Sequence, residues 1–264
     1  MKKVLDRWGF LLRRCDTNMQ LNDISKLLEK ITKIKIMVIG DIGLDSYIVG
    51  DVKKISPEAP VPVVDVNDNY SRLGLSANVV SNIRAFGAEC SLIGVVGNDE
   101  NSELINKELV KIGVDTSGIV ACMDRPTTHK TRVLASRLHH VVRIDKEDRS
   151  PLTDKAREQI LSNIRKDLKH CDAVIMEDYG KGLFKADLGV DIINECIKAK
   201  KPVFVDPSRS TKANTYKGAT LLKPNMDEAR ILSGVETDSE HMLYECGNKL
   251  MKDLSLEHLV ITRG

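Results

Sequence analysis

Charge of one sign and long apolar runs are both scarce in this sequence. Its 264 residues hold 40 lysines and arginines against 38 acidic residues, which leaves a net charge of +2. This balance gives no reason to expect nucleic acid or an anionic membrane as a main partner. The apolar run at residues 8–12 is closed by Arg13 and Arg14. It is too short for a signal peptide or a membrane-spanning helix, which need about 7–15 and about 20 apolar residues. We therefore expect a cytoplasmic protein without a membrane partner.

Cysteine and histidine patterns typical of metal sites are missing too. No two cysteines stand in a C-x-x-C spacing, and none forms a zinc-like pattern with histidine. His139 and His140 are neighbours on a predicted strand, so their rings point to opposite faces. We expect reduced, buried thiols and no histidine metal site. The cysteines are Cys15, Cys90, Cys122, Cys171, Cys196 and Cys246.

Two common nucleotide-binding motifs are also absent. A dinucleotide fold needs G-x-G-x-x-G, but residues 40–45 read Gly-Asp-Ile-Gly-Leu-Asp, with an acid at the third glycine position. A carboxylate there would repel a pyrophosphate. The Walker A sequence G-x-x-x-x-G-K-[ST] does not occur either. An NAD enzyme and a P-loop kinase are both disfavoured.

Short β-branched runs alternate with helical patterns along most of the chain. A run such as residues 34–39, followed by Gly40 and Asp41, is typical of a buried parallel strand. The alternation with helices indicates βαβ units and predicts an α/β fold with a doubly wound, mostly parallel sheet. The predicted strands lie at 34–39, 91–96, 173–176, 202–205, 220–222 and 259–262, and the helices at 76–86, 101–111, 153–168, 185–199 and 239–252.

Two regions interrupt this alternation. Residues 46–66 and 127–146 contain short strand patterns without helices between them, which predicts a small inserted antiparallel β subdomain. Residues 4–12 and 21–31 carry apolar residues at helical spacing. We therefore divide the chain into an N-terminal helical extension, residues 1–33, and one α/β domain, residues 34–264. Because the sequence stops directly after a predicted strand, we expect this domain to be C-terminally incomplete.

Polar residues follow several of the predicted strands. In open α/β sheets, ligands bind beyond the carboxyl ends of the strands. Any one such residue could equally cap a helix or a turn. The whole set predicts a site for a polyhydroxy ligand or a metal-bound phosphate. The set consists of Asp41, Asp45, Glu177, Asp178, Asp206, Lys223 and Asn225.

Several motifs resemble those of the ribokinase, or PfkB, family of carbohydrate kinases. Residues 40–45 look like the family's opening strand with its sugar-binding Asp45. Residues 74–78 are similar to its first signature, usually Gly-Gly-x-x-Asn, and residues 206–207 and 223–228 resemble two further elements. The resemblance runs from about residue 34 to the end. It implies a ribokinase-like fold in which the inserted strands form a lid, with Mg²⁺ and ATP as cofactors.

Further stretches resemble one subgroup of that family. Residues 50–52, 55–64, 178–182 and 219–225 are similar to the kinase for D-glycero-D-manno-heptose 7-phosphate, often fused to an adenylyltransferase. The resemblance implies ATP-dependent phosphorylation of this sugar phosphate at its anomeric oxygen. It also implies a part in making the ADP-heptose precursor of bacterial lipopolysaccharide.

The resemblance implies a substrate side of the site. Asp45 and Asn78 would hydrogen-bond sugar hydroxyls. A substrate that already carries a phosphate also needs a cation, for which Arg132 and Lys181 rank above Lys54, Arg72 and Lys130. The expected substrate-binding residues are Asp41, Asp45, Gly74, Asn78, Arg132, Asp178 and Lys181.

The resemblance also implies a nucleotide side. Asn225 and Glu228 match the family's Asn-x-x-Glu element, which organises Mg²⁺ and the ATP phosphates, and Glu228 is the expected metal contact. The same pair resembles a capping box, and both interpretations can hold because a helix N-terminus favours phosphate. The expected cofactor-binding residues are Asp206, Lys223, Asn225, Met226, Asp227, Glu228, Thr262 and Gly264.

The sequence departs from the family pattern in two places. Leu75 stands where a second glycine is usual, and its side chain would narrow the pocket or shift the loop. The second signature, Gly-Ala-Gly-Asp, is expected beyond Gly264, so no catalytic base is assigned. Two alternatives stay open: a PfkB-type kinase for another sugar, and a non-catalytic sugar-phosphate-binding pseudokinase. The lid of such kinases is often a dimer interface, which implies a homodimer.

Overall fold

Eleven strands and seven α-helices form the part of the chain that the computed structural model describes, residues 21–135 and 139–263. The strands are β1 (Lys35–Gly40), β2 (Ile42–Ile55), β3 (Pro62–Leu75), β4 (Glu89–Gly97), β5 (Ile119–Cys122), β6 (Thr128–Ala135), β7 (His139–Lys146), β8 (Ala173–Glu177), β9 (Val203–Asp206), β10 (Leu221–Leu222) and β11 (His258–Leu259). The helices are α1 (Leu21–Ile31), α2 (Ser76–Ala85), α3 (Glu100–Lys111), α4 (Asp154–Asp167), α5 (Leu188–Lys198), α6 (Met226–Ser233) and α7 (Glu240–Asp253).

Seven parallel strands form the central sheet, in the order β11-β10-β9-β8-β1-β4-β5. The chain builds outward from β1 in both directions, first through β4 and β5 and later through β8 to β11. The carboxyl ends of β1 and β8 therefore flank the point where the strand order reverses. Open α/β sheets bind their ligands at such a switch point.

Alternate side chains of β1 enter two different apolar cores. Met37 and Ile39 are fully buried against residues of α4, α5 and α7, whereas Val38 is fully buried against residues of α2 and α3. Because side chains alternate along a strand, helices must cover both faces of the sheet. This arrangement confirms the predicted doubly wound α/β fold.

A second sheet, in the order β3-β2-β6-β7, forms the inserted subdomain, which we call the lid sheet. β2 pairs antiparallel with β3, and β6 pairs antiparallel with β7, but β2 and β6 are parallel. The prediction of a purely antiparallel lid is therefore wrong for the central pair. The reason is topological, because β6 enters the lid sheet after the crossover through β4, α3 and β5 and so runs in the same direction as β2.

The strand boundaries also differ from the predicted ones. β2 and β3 together span residues 42–75, which is longer than the predicted 46–66. β5 has only four residues, too few to show a period, and the sequence did not predict it. The predicted strand 259–262 is reduced to His258–Leu259, with Thr262 forming one isolated bridge to Asn225.

The N-terminal prediction is tested only in its second half. The helix predicted over 21–31 is confirmed as α1, and the one predicted over 4–12 lies outside the described residues. Within the described ranges, no helix has both the length and the apolar character to cross a bilayer. The cysteines in those ranges are buried and unpaired, as expected.

Candidate active site

Buried carboxylates gather at the carboxyl edge of the central sheet. Asp41 follows β1, Glu177 ends β8 and Asp178 follows it, and the exposed fractions of these three acids are 3%, 7% and 7%. Asp206, the last residue of β9, lies opposite Glu177 in the parallel register. Burying a carboxylate is costly unless a partner compensates it. The partners of each acid therefore indicate its part in the site.

The carboxylate of Asp41 accepts its hydrogen bonds from the loop that follows β8. Its Oδ2 accepts hydrogen bonds from the backbone N–H of Tyr179 (3.0 Å) and Lys181 (3.1 Å), and its Oδ1 accepts one from Leu183 (3.4 Å). Burial raises the pKa of Asp41 to about 6, and the nearby charge of Asp178 adds to this effect. Asp41 therefore positions the 178–183 loop, and its contact with the substrate stays a prediction.

Asp178 has a similar structural part. Its Oδ1 accepts from the backbone N–H of Gly180 (2.7 Å), and its Oδ2 accepts from the hydroxyls of Thr211 (2.7 Å) and Tyr216 (2.8 Å). The loop it belongs to is tightly packed, because a Cβ on Gly182, where φ is +101°, would lie 2.1 Å from a backbone oxygen. Only glycine fits there.

Lys181 points to the lid sheet rather than to an open pocket. Its Nζ lies 2.6 Å from Oε2 of Glu147, which follows β7, and the two side chains are 11% and 9% exposed. Burial would raise the pKa of Glu147, but its contacts with Lys181 and Arg149 hold that pKa below the ordinary value. The charge of Lys181 is thus already neutralised, so this predicted phosphate ligand is tied to an internal ion pair.

Three predicted substrate residues meet on one face of the lid sheet. Nη1 of Arg132 lies 2.8 Å from Oδ1 of Asp45, and their side chains are 19% and 23% exposed. Gly74 lies beside this pair, where an added Cβ would be 3.0 Å from Cγ of Asp45. Glycine at this position therefore allows the carboxylate to approach the backbone.

Two further cations flank Asp45. Arg72 of β3 and Lys130 of β6 each lie opposite Asp45 in the strand register. The guanidinium of Arg72 stands 5.2 Å from the ring centroid of Tyr70, which stacks on Tyr47 at 4.9 Å. Burial lowers the pKa of the Lys130 ammonium. We call Asp45, Arg72, Lys130 and Arg132 the lid cluster.

The first-signature region differs from expectation at two positions. Asn78 is exposed in the first turn of α2, and the N-cap of this helix is Leu75, without a side-chain cap bond. Leu75 has φ 54° and ψ −134°, a conformation that favours glycine. Its side chain is nevertheless 9% exposed and packs on Gly43. The backbone at Leu75 keeps a conformation typical of glycine, while the leucine side chain packs in the space beside Gly43.

A cavity of about 230 Å³ opens beside the carboxyl ends of β8 to β10, and we call it the acidic cavity. It is smaller than the roughly 300–1,000 Å³ of pockets that hold a whole drug-sized ligand. It brings together the predicted Asp206, Lys223, Asn225, Glu228 and Thr262. Glu177, Asp178, Tyr179 and Pro207 complete its lining.

Glu177 is the most perturbed acid of this cavity. Burial and the charge of Asp206 raise its pKa to about 8, although Lys223 opposes the shift. Nζ of Lys223 lies 2.8 Å from Oδ2 of Asp206 and so serves that carboxylate first. Glu177 therefore holds a proton at neutral pH.

Asn225 and Glu228 begin α6 as a reciprocal capping box. Oδ1 of Asn225 accepts from the backbone N–H of Glu228 (2.9 Å), and Oε2 of Glu228 accepts from that of Asn225 (2.8 Å). The helix start lies on the acidic cavity, so the capping and phosphate interpretations remain compatible. Of the other predicted cofactor residues, Met226 and Asp227 are not among those that line the cavity, and Gly264 lies outside the described residues.

The acidic cavity fits a hydrated magnesium ion better than a fully protein-bound metal. In residues 21–135 and 139–263, no three His, Cys, Asp or Glu side chains are grouped to hold a metal ion by themselves. Mg²⁺ usually keeps several waters and takes one or two carboxylates beside substrate phosphates. Glu177, Asp206 and Glu228 suit that part, since a cation would offset the burial and the Asp206 charge that together raise the pKa of Glu177.

Sequence reasoning left some site residues unassigned. Glu177 belonged to the strand-end acids but received no role, although its register with Asp206 follows from two adjacent parallel strands. Tyr47 and Tyr70 gave no signal, because a tyrosine on a predicted strand is ordinary. Their stacking with Arg72 depends on the antiparallel register of β2 and β3.

Comparisons with known proteins agree with this geometry. A family model described as "pfkB family carbohydrate kinase" matches residues 33–264. Curated relatives named "Bifunctional protein HldE" include those of Desulfatibacillum aliphaticivorans, 37% identical over 87% of this chain and 47% of the relative, and Wolinella succinogenes, 39% identical over 89% and 49%. The chain spans about half the length of the curated relatives it matches.

Solved structures share the fold. Arabidopsis thaliana ribokinase complexed with ribose and ATP aligns with a TM-score of 0.64 at 18% identity, covering 88% of this chain and 72% of that one. The tetrameric inhibited form of phosphofructokinase-2 from Escherichia coli aligns with a TM-score of 0.66 at 17% identity, covering 88% and 74%. Identities this low support the fold alone.

Proposed function

Because the chain belongs to the pfkB family of carbohydrate kinases, we propose that it transfers a phosphate from ATP to the anomeric oxygen of D-glycero-D-manno-heptose 7-phosphate. The resemblance drawn from the sequence motifs is confirmed at the level of the family, and the relatives named HldE support the heptose kinase subgroup. The observation that carries this substrate is the 37–39% identity to HldE proteins over 86–89% of the chain. The product would serve ADP-heptose and lipopolysaccharide precursor synthesis.

The lid cluster supports the choice of a sugar phosphate. Asp45 would accept hydrogen bonds from sugar hydroxyls, and Asn78 is exposed in the first turn of α2. A charge-assisted hydrogen bond of this kind contributes about 1.5–3 kcal/mol. Arg72, Lys130 and Arg132 would hold the phosphate, with guanidinium groups matching its oxygens in pairs. Arg132 was predicted for this role together with Lys181, and its pair with Asp45 is more exposed than the pair of Lys181 with Glu147.

The acidic cavity supports a metal-nucleotide on the other side. Lys223 and the N-terminus of α6 suit the ATP phosphates, because both present positive charge. Glu177, Asp206 and Glu228 would hold Mg²⁺, which neutralises phosphate charge during phosphoryl transfer. Closure of the lid sheet over the substrate would exclude water from the site.

We further propose a cytoplasmic homodimer that uses the outer part of the lid sheet. Val52, Ile55 and Val66 on the long strands β2 and β3 are exposed apolar residues. Exposed apolar groups on a sheet favour association with another protein surface. Sedimentation velocity should give twice the monomer mass, and Ile55→Lys with Val66→Lys should return it to one. The boundary at residue 33 between extension and kinase domain stays a prediction.

The test is binding by the purified 264-residue chain, and turnover by a form extended with a segment that carries the family's Gly-Ala-Gly-Asp motif. Calorimetry on the 264-residue chain should show heptose 7-phosphate binding more tightly than ribose or fructose 6-phosphate. With Mg-ATP added to the extended form, phosphorus NMR should show a new phosphate ester at the anomeric carbon, whereas the 264-residue chain alone should show none. Asp45→Ala should weaken binding about 10- to 100-fold at an unchanged melting temperature. The matched control is Asp68→Ala, which removes an exposed acid of β3 and should have no effect.

The two alternative functions, a kinase for another sugar and a non-catalytic binding protein, predict different results in these assays. Tighter binding of another sugar would make this a PfkB-type kinase with a different substrate, which the departure at Leu75 would explain. Binding of heptose 7-phosphate without transfer, even after fusion to a segment carrying the family's Gly-Ala-Gly-Asp motif, would favour a non-catalytic sugar-phosphate-binding protein.

A further inference from the structure

The carboxylate expected to bind sugar hydroxyls is already paired. Oδ1 of Asp45 accepts from Arg132 at 2.8 Å, and the Gly74 backbone crowds the other side, where an added Cβ would lie 3.1 Å from Oδ2. Hydroxyl groups of a neutral sugar form weaker bonds to a carboxylate than a guanidinium does. A sugar without a phosphate would therefore have to displace the Arg132 guanidinium from Asp45 without supplying another anion for that guanidinium.

The lid cluster holds more positive than negative charge. It contains three cations and one carboxylate, Asp45. The acids on and after β7 have partners of their own, since Asp145 accepts two bonds from Arg143 (2.8 and 3.0 Å) and Glu147 pairs with Lys181. The surplus of two positive charges matches a phosphate monoester, which carries about −1.5 to −2 at pH 7.

Arg132 is anchored so that it can exchange partners. Its backbone lies opposite Tyr47, two residues along β2 from Asp45 and about 6.6 Å farther along the strand. The guanidinium therefore reaches back toward the core to meet Asp45, while staying 5.4 Å from the ring centroid of Tyr47. If it leaves Asp45, the cation–π contact with Tyr47 can still hold it over the same face.

We propose that Arg132 is a specificity-determining residue that pairs with Asp45 in the absence of ligand and with the substrate phosphate in its presence. The exchange frees Asp45 to accept a sugar hydroxyl. The protein thereby selects sugars that already carry a phosphate, because only these offer Arg132 a replacement anion. This inference rests on the proposed function for the class of substrate.

The test compares two ligands on three proteins by calorimetry. The ligands are D-glycero-D-manno-heptose 7-phosphate and the same heptose without phosphate. The proteins are the wild type, Arg132→Met, and Arg165→Met as the matched control, because Arg165 is an exposed arginine of α4 that pairs with Glu195 and takes no part in the lid cluster. Arg132→Met should bind the phosphorylated sugar about 10- to 100-fold more weakly. It should bind the unphosphorylated sugar about 2- to 5-fold more tightly, since Asp45 is freed. Arg165→Met should change neither.

The opposite signs for the two ligands are the decisive result. Weaker binding of both ligands would mean that Arg132 only maintains the lid, and the proposal would be wrong. Weaker binding of the phosphorylated sugar with no gain for the other would make Arg132 a simple phosphate ligand, which also overturns the exchange.

A second titration separates this inference from the proposed function. Inorganic phosphate should bind Asp45→Asn about 2- to 5-fold more tightly than wild type, because the competing carboxylate is neutral. If wild type does not bind the heptose phosphate but this gain appears, the substrate is wrong and the exchange stands. If wild type binds the heptose phosphate and the gain is missing, the substrate stands and the exchange fails.

Discussion

The lid cluster and the acidic cavity carry surplus charge of opposite sign. In the lid cluster, three cations surround one carboxylate. In the acidic cavity, Glu177, Asp206 and Glu228 face Lys223 as the basic side chain of the lining, and the pKa of Glu177 rises to about 8. The side chains of the first region are therefore positive overall, and those of the second are negative overall. A ligand with its own phosphate would therefore point that group toward the lid, while a metal-bound nucleotide would occupy the cavity.

The two regions are joined by the 178–183 loop. Asp41 and Asp178 hold this loop from the core side, and Lys181 links it to Glu147 at the end of the lid sheet. Substitutions at three positions test how the two regions are held: Lys181 in the loop, Glu177 in the acidic cavity, and Leu75, where the lid sheet meets α2.

The largest expected effect comes from removing the ion pair between Lys181 and Glu147, which connects the 178–183 loop to the lid sheet. Lys181→Met leaves Glu147 buried with only the partly exposed Arg149 as its partner. Removing one member of a buried pair costs about 3–5 kcal/mol, and we expect the lower end because Arg149 remains. Urea unfolding measures this loss. Lys185→Met is the control, since its Nζ donates only to the exposed backbone oxygen of Arg149 (2.6 Å). Equal losses in both variants would show that the Lys181 pair does not join the regions.

A smaller effect is expected from the acidic cavity as pH changes. The pKa of Glu177 is raised from 4.5 to about 8, so between these values the folded protein binds more protons than the unfolded chain. Stability must then fall as pH rises through this window. Glu177→Gln should remove that fall and be more stable than wild type at about pH 8.5, by on the order of 1–3 kcal/mol. Thermal unfolding from pH 5 to about pH 8.5 measures how the stability of wild type and of Glu177→Gln changes with pH.

The exposed Glu257→Gln provides the control for that series and should follow the wild-type curve. Added Mg²⁺ should reduce the wild-type slope, because a bound cation favours the ionised carboxylate. If stability changed with pH equally in Glu177→Gln and wild type, Glu177 would not be the source of the fall, and the acidic cavity would not favour a cation in the way described.

The smallest effect is a difference between two variants at Leu75. Leu75→Gly and Leu75→Ala both lose a buried side chain that packs on Gly43, but only glycine is at ease at φ 54°. The glycine variant should therefore unfold at the higher denaturant concentration, with an advantage of about 1 kcal/mol. Heptose 7-phosphate should bind both variants equally. A more stable alanine variant would mean that the backbone relaxes out of this conformation.

Much of the architecture could be predicted from short-range patterns. The β-branched runs predicted six of the seven core strands, and the spacing of three between Asn225 and Glu228 predicted their capping box. Asp206 and Lys223 were predicted to belong to one site because each follows a predicted strand. The structure confirms that the two side chains are neighbours. These features depend on period, local hydrogen bonds and the common edge of parallel strands.

Charge pairing was decided by the tertiary structure alone. Asp45 and Arg132 are 87 residues apart, and Asp41 meets the amides of the 178–183 loop at separations of 138 to 142 residues. No local pattern distinguishes Lys181, which is neutralised by Glu147, from Lys130, which flanks Asp45. The parallel pairing of β2 with β6 determines which of these cations share a face. The sequence by itself thus determined the elements and the polar strand ends, whereas the register between distant strands decided which charges are paired and which remain for a ligand, because electrostatic interaction depends on distance in space and on burial.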